Sequence, residues 1–334
     1  MKILIISGFL GAGKTTFIKH LSKATGYEIA ILENEYGAFN VDSDILKEDS
    51  DGINIWEMTE GCICCSTKKS FAESVLTIAN TIDPQYLVIE PTGVGILSNI
   101  IKNLKQIEYE RITLLAPVTI VDGNSYHHYI HEFPQLYKDQ LMFASTIIIS
   151  KMEDATYEQY QQLSSNLKKI NSKAHILTQH YSQMSSVWFQ QLLNTGYDGK
   201  ILKETTVMEE LPDSLSLEDI YLTSLEGLIL FMENLIRGHY GSIIRAKGYI
   251  KINTLLLRFD MTDSSYSITG AEESASPKAV FIGKHIDRQG LRRILYAASP
   301  KIKVMGNKTA DKTFPTKQIK TYWTPSKDSC FDLP

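Results

Sequence analysis

The segment Gly8-Phe9-Leu10-Gly11-Ala12-Gly13-Lys14-Thr15 constrains the fold more than any other stretch of this 334-residue chain. An apolar run over residues 2–7 leads into it, and a helical pattern over 14–24 leads out. It matches G-x-x-x-x-G-K-[ST] at every fixed position, with the strand and helix the pattern requires on either side. Glycines there let successive backbone N–H groups curl around phosphates, and the helix N-terminus adds a favourable dipole. The segment predicts a nucleotide phosphate site built from Gly8, Gly11, Ala12, Gly13, Lys14, Thr15 and Thr16. Lys14 is expected at the β- and γ-phosphates, and the Thr15 hydroxyl on Mg²⁺.

Short apolar runs at 28–33, 53–58, 86–90, 112–121, 146–150 and 174–178 alternate with helical patterns at 68–80, 95–105, 135–144 and 156–169. Runs that are apolar on both faces, with helices between them, predict an α/β fold: a P-loop NTPase domain over 1–204 whose mostly parallel sheet is flanked by helices. The pattern then changes. Residues 205–216, polar and containing Pro212, read as a linker that continues through a helix at 224–235 to about residue 240. Short alternating strands at 246–252, 255–260, 266–269 and 279–282, then a helix at 287–297, predict a small α+β domain over 241–298 on an antiparallel sheet. Residues 299–334 read as a polar, Lys-rich tail.

A net charge of −4 supplies no basic field for nucleic acid or an anionic membrane, so neither is expected as a partner. No apolar run approaches the ~20 residues a bilayer demands. The N-terminal run enters the glycine loop directly, so cleavage there would remove a strand the loop needs. The expectation is a mature cytoplasmic protein.

Downstream, the apolar strand 86–90 ends in Glu90, where a carboxylate would hold Mg²⁺ through water, followed by Pro91-Thr92-Gly93. Gly93 is placed to give its N–H to a γ-phosphate, tying the order of its loop to that phosphate. Ser150-Lys151-Met152-Glu153 closes another apolar strand, where GTP-binding folds carry Asn-Lys-x-Asp. Glu153 keeps the acceptor for guanine, one methylene longer, and Lys151 keeps the base contact. Ser150 is expected to lose the amide that braces this loop.

Three of the four cysteines lie in Cys62-Ile63-Cys64-Cys65. In a reducing compartment such clustering points to metal or redox chemistry rather than disulfides. Three thiolates suit Zn²⁺ or another borderline ion. The polar neighbours and Gly61 disfavour a packed apolar cluster, while the Cys62/Cys65 spacing leaves redox chemistry as the lesser alternative. Asn34-Glu35-Tyr36-Gly37 follows the second strand, where a first switch belongs, and Glu35 could reach the metal; Asp42 reads equally well as solvated acid. His127, His128 and His131 with Glu132 read as an exposed helix face rather than a metal pair. Cys330 carries no assigned role.

The glycine loop, Asn34-Glu35-Tyr36-Gly37, Gly61-Cys62-Ile63-Cys64-Cys65 and Glu90-Pro91-Thr92-Gly93, in this order, resemble the CobW-like metallochaperone GTPases, relatives of UreG and HypB. Arg245-Ala246-Lys247-Gly248, Phe281-Ile282-Gly283 and Leu291-Arg292 resemble that family's C-terminal domain, more loosely. The resemblance implies a cytoplasmic GTPase that uses GTP and Mg²⁺ and binds Zn²⁺ or Co²⁺ at its CxCC motif. It also implies delivery to a client metalloprotein or cofactor-biosynthesis enzyme, often by a protein that dimerises with nucleotide. The chain departs from the pattern at three places. Ala38 stands where the family has a second Glu, Ser150 and Glu153 alter the base motif, and Val94-Gly95-Ile96-Leu97 replaces Ala-Asp-Pro. Two alternatives follow: a nucleotide-gated activator of a metalloenzyme or corrinoid protein with a structural ion, and an ATP-using small-molecule kinase. With no evident Gln to orient water and no arginine finger, intrinsic turnover is expected to be slow.

Overall fold

A computed structural model describes residues 1–34, 54–58, 68–153, 155–177, 179–199, 211–271 and 275–296. The chain divides into two compact units, with the break between Leu211 and Pro212.

The described elements of the first unit are β1 (Lys2–Gly8), α1 (Lys14–Thr25), β2 (Ile29–Asn34), β3 (Asn54–Met58), α2 (Lys68–Thr81), β4 (Tyr86–Glu90) and α3 (Leu97–Lys105). They continue with β5 (Thr113–Leu114), β6 (Val118–Asp122), α4 (Tyr126–Glu132), α5 (Pro134–Met142), β7 (Thr146–Ser150), α6 (Tyr157–Ile170), β8 (His175–Leu177) and α7 (Ser186–Leu192). The strands run in the order β3-β2-β4-β1-β6-β7-β8, with β5 also on β1, and every pairing is parallel.

Because side chains alternate along a strand, β1 feeds two cores. Leu4 and Ile6 join Phe17, Ile18 and Leu21 of α1 and Phe189 of α7. Ile3 and Ile5 join Phe71 and Val75 of α2 and Ile100, Ile101 and Leu104 of α3. Phe17, Ile18 and Leu21 are fully buried, each contributing roughly 1.5–3 kcal/mol, which fixes α1 against the sheet. That sets the orientation of the glycine loop at its N-terminus.

Three expectations change. The 112–121 run is interrupted: β5 and β6 both lie along β1 but are separated at Pro117, which has no N–H to donate. The 95–105 helix begins only at Leu97, since Gly95 N–H closes a turn onto the Thr92 carbonyl. Helix α7 is an addition, while the helix face read at His127–Glu132 is α4, which stops at Phe133, just before Pro134 opens α5.

The second unit contains β9 (Asp213–Glu218), β10 (Tyr221–Leu222), α8 (Leu225–Ile236), β11 (Ser242–Ile252), β12 (Leu255–Thr262), β13 (Ser265–Gly270), β14 (Lys278–Lys284) and α9 (Arg288–Tyr296). Its sheet runs β13-β12-β11-β14-β9, antiparallel throughout, with β10 parallel to β11 at its end. Phe231 and Met232 of α8 and Leu291 of α9 pack on Ala246, Phe259 and Phe281. Part of the stretch read as a linker is therefore sheet: Leu215 and Leu217 of β9 point into this core while Ser214 and Ser216, which alternate with them, face away. Polar composition concealed that alternation.

Candidate functional site

The loops after β1, β4, β6 and β7 converge at one end of the parallel sheet, where open α/β sheets bind ligands. Gly8, Gly11 and Gly13 all have positive φ, at 146°, 69° and 93°. At Gly13, the N-cap of α1, a Cβ would meet nothing within 4 Å, so it is the dihedral rather than space that requires glycine. Lys14 is buried, and its ammonium donates to the carbonyls of Gly8 (3.1 Å) and Phe9 (3.3 Å), lying across the loop. Thr16 is exposed at the first turn of α1. Phe9 anchors the loop from behind, its ring 4.3 Å from Tyr129, 5.3 Å from Phe133 and 5.7 Å from Tyr137. Burial first, then the nearby Asp122 charge, push the Tyr137 phenol well above its usual range, so it stays neutral.

The Thr15 hydroxyl donates to Glu90, 3.1 Å from each carboxylate oxygen. Two hard oxygen donors at the foot of a phosphate loop fit Mg²⁺. Beside them lies an acid that inspection of the sequence passed over. Glu33, next to last in β2, is in direct register with Glu90 and is 2% exposed. The signal was the one that marked Glu90: a carboxylate closing the apolar run of a parallel strand. Gly93 lies against the glycine loop, where an added Cβ would come within 2.5 Å of the Leu10 nitrogen.

Ser150 opens the base loop at the end of β7. Its buried hydroxyl donates to the carbonyl of Ala12 at 2.7 Å and lies 3.1 Å from that of Val121. It therefore braces the glycine loop against β6 and β7. Lys151 adopts a left-handed backbone (φ 57°), at a cost of about 1–2 kcal/mol. Its ammonium pairs with buried Asp122 at 3.0 Å, and its carbonyl accepts from the Asn124 amide at 2.5 Å. Asp122 also accepts from the backbone N–H groups of Asn124 and Ser125, an arrangement not anticipated from sequence. Glu153 is exposed, 3.6 Å from the His180 ring. An open cleft of about 530 Å³ beside this loop is lined by Asn124, His127, Lys151, Glu153 and Gln162 among others.

His127, His128 and His131 all lie on the exposed side of α4, opposite buried Tyr126 and Tyr129. Among the described residues no group of three or more His, Cys, Asp or Glu side chains could hold a metal. Glu35, Ala38, Asp42, Cys62, Cys64, Cys65 and Cys330 lie outside the described residues.

Residues 2–178 match the CobW/HypB/UreG nucleotide-binding domain. The chain belongs to the CobW/HypB/UreG family. Residues 213–299 match the cobalamin synthesis protein cobW C-terminal domain, completing the family's two-part arrangement. Among CobW relatives, the chain is 26% identical over 315 residues to the zinc chaperone YjiA of Escherichia coli, covering 87% of this chain and 96% of that one. It is 25% identical over 237 residues to the zinc-regulated GTPase metalloprotein activator 1 of Dictyostelium discoideum, covering 59% of this chain and 48% of the relative. The chain thus spans nearly all of the first and about half of the second. The crystal structure of Zn(II)-bound E. coli YjiA GTPase aligns with 24% identity and a TM-score of 0.44, over 87% of this chain and 96% of that one. Among the described residues no helix is long and apolar enough to cross a membrane.

Proposed function

We propose that this protein is a GTP-hydrolysing metallochaperone that couples nucleotide state to a transition-metal site at Cys62, Cys64 and Cys65. The observation that carries the nucleotide part is the Thr15–Glu90 contact at the foot of the glycine loop. Support for the cargo comes from the three thiolates between the two nucleotide motifs and from family members named as zinc chaperones.

On this reading Lys14 leaves the Gly8 and Phe9 carbonyls and moves to the β- and γ-phosphate oxygens. The loop N–H groups then take the remaining phosphate charge. Thr15 Oγ1 and, through water, Glu90 would hold Mg²⁺, which would supply positive charge against that developing on the phosphates. Water attacks the γ-phosphorus, and the bond to the β–γ bridging oxygen breaks with its electron pair retained by GDP. Ser150, Lys151 and Glu153 form the base edge, with Glu153 accepting guanine N–H protons. Loss of the γ-phosphate releases Gly93 and, with it, the geometry of the cysteine site, so Zn²⁺ or Co²⁺ passes to a client metalloprotein or cofactor-biosynthesis enzyme. A nucleotide-dependent homodimer and a cytoplasmic setting belong to the same reading, as does a polar tail over 299–334.

Coupling must be reciprocal. A typical ~1–3 kcal/mol would make Zn²⁺ tighten binding of a non-hydrolysable GTP analogue about 5- to 150-fold. Isothermal titration of the analogue with and without Zn²⁺ or Co²⁺ tests this, and equal affinities would sink it. Zinc retained stoichiometrically in every nucleotide state would instead favour an activator with a structural ion. Preference for ATP over GTP would favour the kinase.

A further inference from the structure

Two adjacent side chains of α5 hold the loop that links β4 to α3. Gln140 is 1% exposed, and its amide nitrogen donates to the carbonyls of both Gly93 and Gly95, each at 3.0 Å. Asp139, also buried, accepts from the Ser98 N–H in the first turn of α3 at 3.1 Å, a helix whose own N-cap, Ile96, has no capping side chain. Gln140 is itself fixed to the sheet, since its backbone carbonyl accepts from the Thr119 hydroxyl of β6 at 2.9 Å. On its other side the loop meets the glycine loop, where Gly93 approaches Leu10 too closely to admit a Cβ. The same helix reaches the glycine loop a second way, through the Tyr137 ring against Phe9.

A peptide plane is set when its carbonyl is held, because carbonyl and following N–H are locked in one plane. Gln140 holds the planes that follow Gly93 and Gly95 and thereby sets the path of the chain leaving Gly93; the Gly93 N–H shares the preceding plane with the Thr92 carbonyl, which the Gly95 N–H holds in turn. The loop's own ties are local: Gly95 N–H to the Thr92 carbonyl at 2.8 Å, and Val94 N–H to the Thr92 hydroxyl at 3.4 Å. These shape the turn without positioning it against the phosphate loop. Among the described residues, the Gln140 amide of α5 ties this loop to the scaffold.

We infer that Gln140 is a positioning residue for γ-phosphate recognition, its amide fixing the Gly93–Gly95 loop so that the Gly93 N–H meets the γ-phosphate. This rests on the nucleotide reading above. The role is confined to the nucleotide with three phosphates, since a diphosphate has no group at the position Gly93 faces. Gln140 touches neither nucleotide nor water in this scheme; it acts through the backbone it holds.

The test uses the full chain in Mg²⁺ and compares affinities for a non-hydrolysable GTP analogue and for GDP. Gln140→Met keeps length and volume but removes the donor. The analogue is expected to weaken about tenfold with GDP unchanged within twofold, a tenfold loss corresponding to about 1.4 kcal/mol. Thr119→Val loosens the seat of Gln140 without touching the loop and should shift the same ratio in the same direction by a smaller factor. If Gln140→Met does not fold, the Thr119→Val ratio decides. Equal weakening of both nucleotides, or an unchanged ratio in the folded variants, overturns the role of Gln140 while leaving the nucleotide reading intact. Wild-type protein that binds analogue and GDP equally overturns γ-phosphate recognition itself, and this role with it.

Discussion

The Thr15 hydroxyl lies 3.1 Å from both carboxylate oxygens of Glu90, joining two residues 75 positions apart. The contact exists because α1 starts at the end of β1, and β4 is the strand paired directly beside β1. Any substitution that keeps the sheet but removes the Glu90 charge should therefore act on chemistry rather than on folding.

Glu90→Gln should lower GTP turnover about 10- to 100-fold, the usual cost of losing a group that orients a metal from its outer shell. The amide still accepts from Thr15, so the melting temperature without nucleotide should barely move. A steady-state phosphate-release assay beside a thermal melt separates the two effects.

Ser150→Ala removes the donor to the Ala12 carbonyl and leaves a buried acceptor short of its partner. The expected cost is about 1–3 kcal/mol of stability, measured by urea unfolding, together with weaker binding of GTP and GDP alike. Ser150→Thr, which retains the hydroxyl, should recover most of both.

Glu153→Ala should leave stability unchanged, since the side chain is exposed. It should reduce the preference for GTP over ATP by about tenfold, or about 1.4 kcal/mol. Competition binding with both nucleotides reads this directly.

Burial raises the carboxyl of Asp139 above its ordinary value, against the opposing pull of hydrogen bonds from Ser98 and Leu97. The folded state therefore holds this proton more tightly than the unfolded chain. Its contribution is fully present below the ordinary value of 3.8 and is lost as pH rises through the folded value. Asp139→Asn, which still accepts from the Ser98 N–H, should be more stable than wild type at neutral pH, and the advantage should shrink as pH falls toward 3.8. Urea unfolding across that range provides the measurement.

Replacing Cys62, Cys64 and Cys65 together by Ser should abolish stoichiometric zinc in purified protein, measured by elemental analysis. Affinity for the GTP analogue in zinc-free buffer should stay within about twofold, with the Zn²⁺-dependent gain of roughly 5- to 150-fold lost.

What the chain declares locally was legible without coordinates. Gly8 to Thr15 is a contiguous motif whose backbone N–H groups and two side chains, Lys14 and Thr15, carry its chemistry, and apolar runs such as 86–90 and 146–150 mark parallel strands because burial on both faces leaves polar residues only at their ends. Glu90 could be read because it ends such a run. Glu33 carried the same mark, yet only its register with Glu90 across β2 and β4 gives that mark weight. Tertiary structure alone decided the rest. Ser150 braces Ala12 across 138 positions, and Gln140 holds Gly93 across 47. A serine closing a strand or a glutamine on a helix has no sequence signature for a partner that distant. Hydrogen bonds act over about 3 Å, and which groups come that close depends on how the strands are ordered in the sheet.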